Sequence, residues 1–176
     1  MTETVFVGLG SNLGDSSHLL LEGWELIGRY QGVTLENISL PFLSSPVGMA
    51  SNFWFTNAVG KLQTSCPAGE ILDLLLDTEK RLGRVRDRKK KGYQDREIDL
   101  DLIYYGAEVM DTPRLTVPHP HRNDRLFVLE PLATIAPDFI DPETGKPIAE
   151  MHRQLKIRIE SGSIEPQEIS TGAWPI

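Results

Sequence analysis

The segment Ile98-Asp99-Leu100-Asp101-Leu102-Ile103-Tyr104-Tyr105 restricts the fold more than any other stretch of the chain. Its period of two reads as a β-strand, with Ile98, Leu100, Leu102 and Tyr104 on one face and Asp99, Asp101, Ile103 and Tyr105 on the other. Side chains two apart on a strand point the same way, so the two carboxylates are neighbours with Cα atoms about 7 Å apart. Aspartate is a poor strand former, and like charges side by side on a sheet repel. A cation between them would reconcile the pair with a sheet. Magnesium takes carboxylate and phosphate oxygens and keeps some water, so two aspartates beside a nucleotide suit it. The bland alternative is the polar face of an edge strand, which more often carries Thr, Lys or Glu.

The remaining periodicities set the class. A strand over Val5–Leu9 runs into Gly10-Ser11-Asn12-Leu13-Gly14-Asp15, and Asp15 or Ser16 can cap a helix from about Ser17 to Tyr30. A strand is expected over Val33–Leu40, followed by a turn-rich stretch from Pro41 to Asn52, and another strand over Phe53–Leu62. Pro67 opens a helix whose Ile71, Leu72, Leu74, Leu75, Thr78 and Leu82 keep helical spacing, and Gly83 ends it. With the acidic strand the order is β-α-β-β-α-β, an α+β class with the ferredoxin-like split βαβ arrangement. A Pro-rich part from Val109 to Ala136 holds a short helix near Arg125–Thr134. The residues from Asp141 onward read as turn-prone and polar, an extension over the core or a partly loose tail. The expected division is therefore a domain over 1–141 and a C-terminal segment over 142–176.

At 176 residues one domain can bury its own core. The single cysteine, Cys66, leaves no internal disulfide or Cys-based zinc cluster and reads as a small residue in a half-buried turn. No apolar run is long enough to span a bilayer, and the first residues lack a signal-peptide pattern, so a cytoplasmic protein with no membrane partner is expected. A net charge of −7 argues against general nucleic-acid binding. Yet nine of the eighteen Lys and Arg lie between Lys80 and Arg96. A solvated loop is the ordinary reading of such a run, whereas arginines just ahead of two carboxylates suit a polyphosphate. Guanidinium forks bind phosphate bidentately, and cations that neutralise developing charge carry phosphoryl transfer.

Other features are weaker. Gly8, Gly10 and Gly14 are spaced G-x-G-x-x-x-G, with no Lys-Ser or Lys-Thr following, so a tight strand-to-helix turn is a better account than a nucleotide fingerprint. His119 and His121, without a third ligand nearby, do not suggest zinc, and His119 could equally be structural or donate to a phosphate. Phe53, Trp54 and Phe55 read as core or, following a loop, as a stacking surface.

These residues together resemble the 6-hydroxymethyl-7,8-dihydropterin pyrophosphokinase family. The resemblance is carried by GLGSNLGD, SSPVG with FTNAV, EKRLGRVR, DREIDLDLIYYG and RLTVPHPHRNDRLFVLEPLATIAP, and covers roughly Val5 to Asp141. It implies transfer of pyrophosphate from ATP to the pterin hydroxymethyl group, with release of AMP, in folate biosynthesis. By position it implies two magnesium ions on Asp99 and Asp101, and Arg84, Arg96, His119 and Arg125 on the ATP phosphates with Arg86 in the basic loop. Arg84 and Arg96 join the two aspartates as catalytic residues. Glu79, Leu102, Arg114 and Thr116 match regions lining the nucleotide, Leu102 through its backbone. Ser44, Val47, Phe55, Asn57, Tyr93 and Phe127 match the pterin side, with Phe55 and Phe127 sandwiching the ring and Asn57 bonding its amide edge. Tyr93-Gln94-Asp95-Arg96 departs from the commoner Trp or Tyr, Gly, Pro, Arg, and Pro120 replaces an aromatic found in some members. The expected partners are ATP, the dihydropterin and other folate-pathway enzymes. Two other readings remain at this point: another magnesium-dependent nucleotidyl or phosphoryl transferase, and an RNA-binding sheet. The latter lacks the interleaved aromatic motif such sheets carry.

Overall fold

The computed structural model describes residues 1–47, 49, 51–84 and 97–176. The elements are β1 (Glu3–Ser11), α1 (Ser16–Gly28), β2 (Val33–Ile38), β3 (Phe42–Ser44), β4 (Phe55–Thr64), α2 (Ala68–Arg81) and β5 (Asp99–Tyr105). They are followed by β6 (Met110–Asp111), β7 (Thr116–Val117), a 3₁₀ turn over Arg122–Asp124, α3 (Leu126–Ile135), α4 (Ile148–Glu160) and β8 (Ile169–Thr171).

A six-stranded sheet runs β5-β1-β4-β3-β8, with β2 also on β4, and every pairing is antiparallel. β2 and β3 share one edge of β4 in succession. Between them the Ser39 N–H donates to the Val59 carbonyl at 2.9 Å, and the Ser39 Oγ accepts the Val59 N–H at 3.0 Å. The side chain thus replaces a ladder bond where the strand is broken.

Alternation sorts the strands onto two cores. Val5, Val7, Leu9, Ala58, Leu62, Leu100 and Leu102 meet Leu20, Trp24 and Ile27 of α1 and Ile71, Leu74 and Leu75 of α2. On the other face Phe6, Val59, Ile103 and Tyr104 meet Leu126, Leu129 and Leu132 of α3 and Ile148, Met151 and Leu155 of α4. The sheet is therefore covered by two helices on each side, an α+β architecture.

Several sequence expectations are corrected. The strict alternation of β5 breaks, because the β1–β5 register shifts between Phe6 and Val7. Ile103 and Tyr104 then fall in the same cluster, and Tyr105 joins the opposite one. β4 begins at Phe55, leaving Phe53 and Trp54 exposed rather than in the core. Gly8 and Gly10 lie inside β1; only Gly14, with φ +72°, serves the turn. That turn ends as expected, with the Asp15 side chain accepting the His18 N–H to cap α1. The stretch read as turn-prone beyond Asp141 contains the 13-residue α4 and the strand β8. Cys66 is buried, and its Sγ lies 3.5 Å from the Gln31 carbonyl.

Candidate active site

The two aspartates keep the spacing read from the sequence, and the neighbouring strand explains what that spacing is for. Asp99 stands opposite Gly10 and Asp101 opposite Gly8 on β1. Gly10 in turn faces Asn57, and Gly8 faces Val59, on β4. Directly paired residues of antiparallel strands project to the same face. The carboxylates therefore rise beside a strip of sheet with no side chains of its own. A Cβ placed on Gly10 would meet the Asn57 Oδ1 at 3.0 Å, and one on Gly8 would lie 3.2 Å from the Ile103 side chain and 3.8 Å from the Asp101 Cβ.

Above this glycine strip is a cleft lined by Gly10, Ser44, Ser45, Val47, Met49, Phe55, Asn57, Asp99, Arg125 and Phe127. Its floor comes from β1, β4 and β5, one wall from β3 and the loop after it, and the other from the start of α3. Asn57 is buried, and its Nδ2 donates to the Ser44 Oγ at 2.6 Å, which fixes the amide plane. The Arg125 guanidinium lies 5.5 Å from the Phe127 ring centroid, within cation–π range.

The acidic strand is tied to α2 by one buried carboxylate. Glu79 Oε1 accepts the Leu100 N–H at 2.8 Å and the Arg84 Nη1 at 2.7 Å. The same Nη1 donates to Asp99 Oδ1 at 2.7 Å. Burial pulls the guanidinium pKa down, but the Asp99 and Glu79 carboxylates outweigh it and the net shift is upward. Arg84 thus stays charged beside the cleft floor.

His119 is half-buried, its N–H donating to the Ile103 carbonyl at 2.9 Å. Burial, followed by the positive charge of Arg125 and the neighbouring His121, lowers its pKa to about 4. The His121 backbone N–H lies 3.2 Å from its Nδ1, so Nδ1 accepts and the neutral ring carries its proton on Nε2. It can donate a hydrogen bond without bringing a full charge.

Ser44, Val47, Phe55, Asn57, Asp99, Arg125 and Phe127 therefore come together on one cleft, with Glu79 and Arg84 bracketing its acidic strand. Leu102 turns its side chain into the first core, leaving its backbone on the strand. Arg114 pairs with Asp73 of α2, and Thr116 donates to Asp111 at 3.2 Å; neither lines the cleft. Arg86, Tyr93 and Arg96 lie outside the described residues. Reasoning from sequence missed Gly10, Ser45 and Met49 as lining. Glycine at every second position of a strand was the available signal for Gly10.

Among the described residues no group of three or more His, Cys, Asp or Glu comes together to hold a metal. The donor set offered is two carboxylates above a glycine-cleared floor, which suits an ion completed by phosphate and water oxygens. No helix among the described residues is long and apolar enough to cross a membrane.

The chain is similar to known proteins that share one name. Residues 6–137 match the family model "7,8-dihydro-6-hydroxymethylpterin-pyrophosphokinase (HPPK)". A 2-amino-4-hydroxy-6-hydroxymethyldihydropteridine pyrophosphokinase of Pseudomonas aeruginosa is 36% identical over 151 residues, covering 86% of this chain and 91% of that protein. The protein of the same name in Synechocystis is 34% identical over 172 residues, covering 93% and 86%. In structure the chain is similar to Plasmodium falciparum HPPK-DHPS, solved with pteroate, with a TM-score of 0.73 and 12% identity. That match covers 93% of this chain but 44% of the longer one.

Proposed function

The chain belongs to the 7,8-dihydro-6-hydroxymethylpterin-pyrophosphokinase family, and from that membership we propose how its residues divide the work. The protein is an ATP-dependent pyrophosphokinase of folate biosynthesis. It moves pyrophosphate from ATP to the hydroxymethyl group of 6-hydroxymethyl-7,8-dihydropterin and releases AMP. The observation that carries the assignment is the single cleft holding Asp99, Asn57, Phe55 and Phe127, with Asp101 next on the same strand face.

The pterin lies between Phe55 and Phe127, which offer planar apolar surfaces. The amide of Asn57 reads its edge, and the buried bond to Ser44 holds that amide in place. A polar edge contact of this kind rejects rings without the matching donors and acceptors. Val47 closes the pocket beside Ser44, and Tyr93 is assigned to the pterin by its position in the family pattern alone.

Arg84, Arg125 and the Nε2–H of His119 take the ATP phosphates, joined by Arg86 and Arg96 from the basic loop. Glu79, Arg114 and Thr116 border the nucleotide, and Leu102 contributes backbone. Asp99 and Asp101 would hold two magnesium ions, whose charge would neutralise the phosphates and would make the attacking hydroxyl more acidic. The pterin hydroxymethyl oxygen forms a bond to the β-phosphorus as the bond to the α-phosphate oxygen breaks. The hydroxyl proton is released and AMP leaves. Cationic side chains on both phosphates stabilise the charge that builds up in transit.

The strand order β5-β1-β4-β2, with α1 and α2 on one face, supports the ferredoxin-like split βαβ as the underlying plan. The catalytic domain is read as 1–141, with 142–176 as a C-terminal segment of this chain. A cytoplasmic setting fits ATP as co-substrate, and HPPK-DHPS polypeptides make other folate-pathway enzymes reasonable neighbours.

The test is direct. Incubation with Mg-ATP and 6-hydroxymethyl-7,8-dihydropterin should yield AMP and the pterin pyrophosphate in equal amounts. ADP as product, or turnover indifferent to the pterin, overturns the assignment.

A further inference from the structure

The strand β8 and the residues just before it lie beyond the part of the chain matched by the family model, yet they touch both walls of the cleft. On one side β8 pairs with β3, with Ser44 opposite Ile169 and Phe42 opposite Thr171. One residue further along, the Ser45 N–H donates to the Glu168 carbonyl at 3.0 Å, and the Glu168 N–H donates to the Ser45 Oγ at 3.0 Å. On the other side Gln167 reaches the start of α3. Its Oε1 accepts the Leu126 N–H at 2.8 Å, and its Nε2 donates to the Asp124 carbonyl at 2.7 Å.

That second contact meets a need the helix cannot meet locally. The first N–H groups of any helix lack intrahelical partners and usually take a side chain at the N-cap. The N-cap of α3 is Arg125, whose side chain makes no capping bond. Gln167, 41 residues beyond Leu126, supplies the acceptor instead. The residues it secures, Asp124 and Leu126, flank Arg125, and Phe127 follows next in the chain. Because Gln167 and Glu168 are adjacent, one short segment is bonded through its backbone to the β3 wall and through the Gln167 side chain to the start of α3.

We propose that Gln167 is a positioning residue for pterin binding: it fixes the start of α3, and with it Phe127 and Arg125, against the Ser44–Ser45 wall carried by β8. The inference rests on the pterin reading given above. Strap residues farther on anchor the same segment to the body of the protein. The Gly172 N–H donates to the Pro41 carbonyl at 2.7 Å, and the Trp174 Nε1 donates to the Ser39 carbonyl at 3.1 Å. The strap is therefore held at its far end independently of Gln167, and a substitution at Gln167 loosens α3 without releasing β8.

The experiment compares Gln167→Ala and Gln167→Glu with the unaltered full-length protein. It uses equilibrium binding of 6-hydroxymethyl-7,8-dihydropterin, steady-state kinetics with both substrates, and thermal unfolding. Two hydrogen bonds removed from an ordered wall weaken binding on the order of tenfold. Gln167→Ala is expected to raise the pterin Kd and KM by about that factor, with kcat at saturating pterin within about twofold. Gln167→Glu keeps an acceptor for the Leu126 N–H and is expected to recover part of the loss. Unchanged pterin affinity in Gln167→Ala overturns the proposal, as does a lowered Tm with pterin KM unmoved. If the unaltered protein neither binds nor turns over the dihydropterin, the functional reading fails instead, and the two failures are told apart by that control alone.

Discussion

At the scale of single residues, the acidic pair matters because of what is missing next to it. Asp99 and Asp101 lie opposite two glycines, so no β1 side chain fills the floor beside them, and Asp99 is held by Arg84. Asp99→Ala and Asp101→Ala should each lose several orders of magnitude in kcat while retaining the wild-type circular dichroism spectrum. Wild-type-like turnover in either variant would refute the metal role. Glu79 illustrates a different kind of residue. Its carboxylate is buried and bonded to both the Leu100 N–H and Arg84, so it sets where the acidic strand begins. His119 yields a prediction about protonation. With its pKa lowered to about 4 by burial and nearby cations, the ring should remain neutral from pH 8 down to pH 5 in the ligand-free protein. NMR of the imidazole nitrogens would show Nε2 protonated throughout that range, and an inflection near pH 6.5 would contradict the buried, neutral assignment.

Among the elements, β4 does the most to locate the cleft. Phe55 and Asn57 project into the cleft and Val59 into the second core, while Ala58 and Leu62 face the first core. Gly60, between them, lets α1 approach closely: a Cβ there would sit 2.4 Å from the Trp24 ring. Gly60→Ala should therefore destabilise by about 1–3 kcal/mol, measured by urea unfolding, because the indole lies in a packed core and cannot move aside. No loss would mean that the α1–β4 contact is looser than described. The helices differ in how openly their sequences announce them. α2 carries Glu70 in its first turn and Lys80 and Arg81 in its last, matching the helix dipole, and its apolar spacing is regular. α4 buries only Ile148, Met151 and Leu155. That is one residue per turn or less, and the stripe is easily lost among the surrounding charged and polar residues. Its helical state depends on the apolar surface of α3 and the sheet, as expected for a helix of 13 residues in water.

At the scale of the whole molecule, a buried polar network joins the active-site turn to the segment before α4. Arg122 donates from Nε and Nη2 to the two oxygens of Asp141, at 2.5 and 3.0 Å, and from Nη2 to Glu143 at 2.6 Å. Its Nη1 donates to the His119 carbonyl at 3.1 Å. The Tyr104 hydroxyl donates to Asp141 at 2.6 Å. Burial alone would push the Asp141 carboxyl up, but the bonds from Arg122 and Tyr104 outweigh it and hold the pKa at about 2. A carboxylate depressed from its ordinary 3.8 contributes stability above pH 4 and loses it as the pH falls toward 2. That contribution is about 2 kcal/mol, so the acid limb of the stability profile should flatten by about that amount in Asp141→Asn. An unchanged acid limb would remove Asp141 from the account. Arg122→Met leaves the carboxylate buried without its cation and should cost about 3–5 kcal/mol in equilibrium unfolding. The sequence held little sign of this pairing, since Arg122 and Asp141 are 19 residues apart and each reads as an ordinary surface charge.

What could be read from the chain alone was whatever depends on local period and chemical type. The β-α-β-β-α-β order through β5, the cap at Asp15, the helix start at Pro67, the shared face of Asp99 and Asp101, and the family blocks are all of that kind. Each is encoded within a few consecutive residues, because side-chain direction and backbone propensity are local properties. The tertiary structure alone decided which strands lie side by side. It set Gly8 and Gly10 beside the carboxylates, broke the alternation of β5 at Ile103 and Tyr104, and bonded β8 to β3 and Gln167 to the start of α3. These depend on register between distant segments, and register is settled by packing both faces of the sheet at once rather than by any one stretch of sequence.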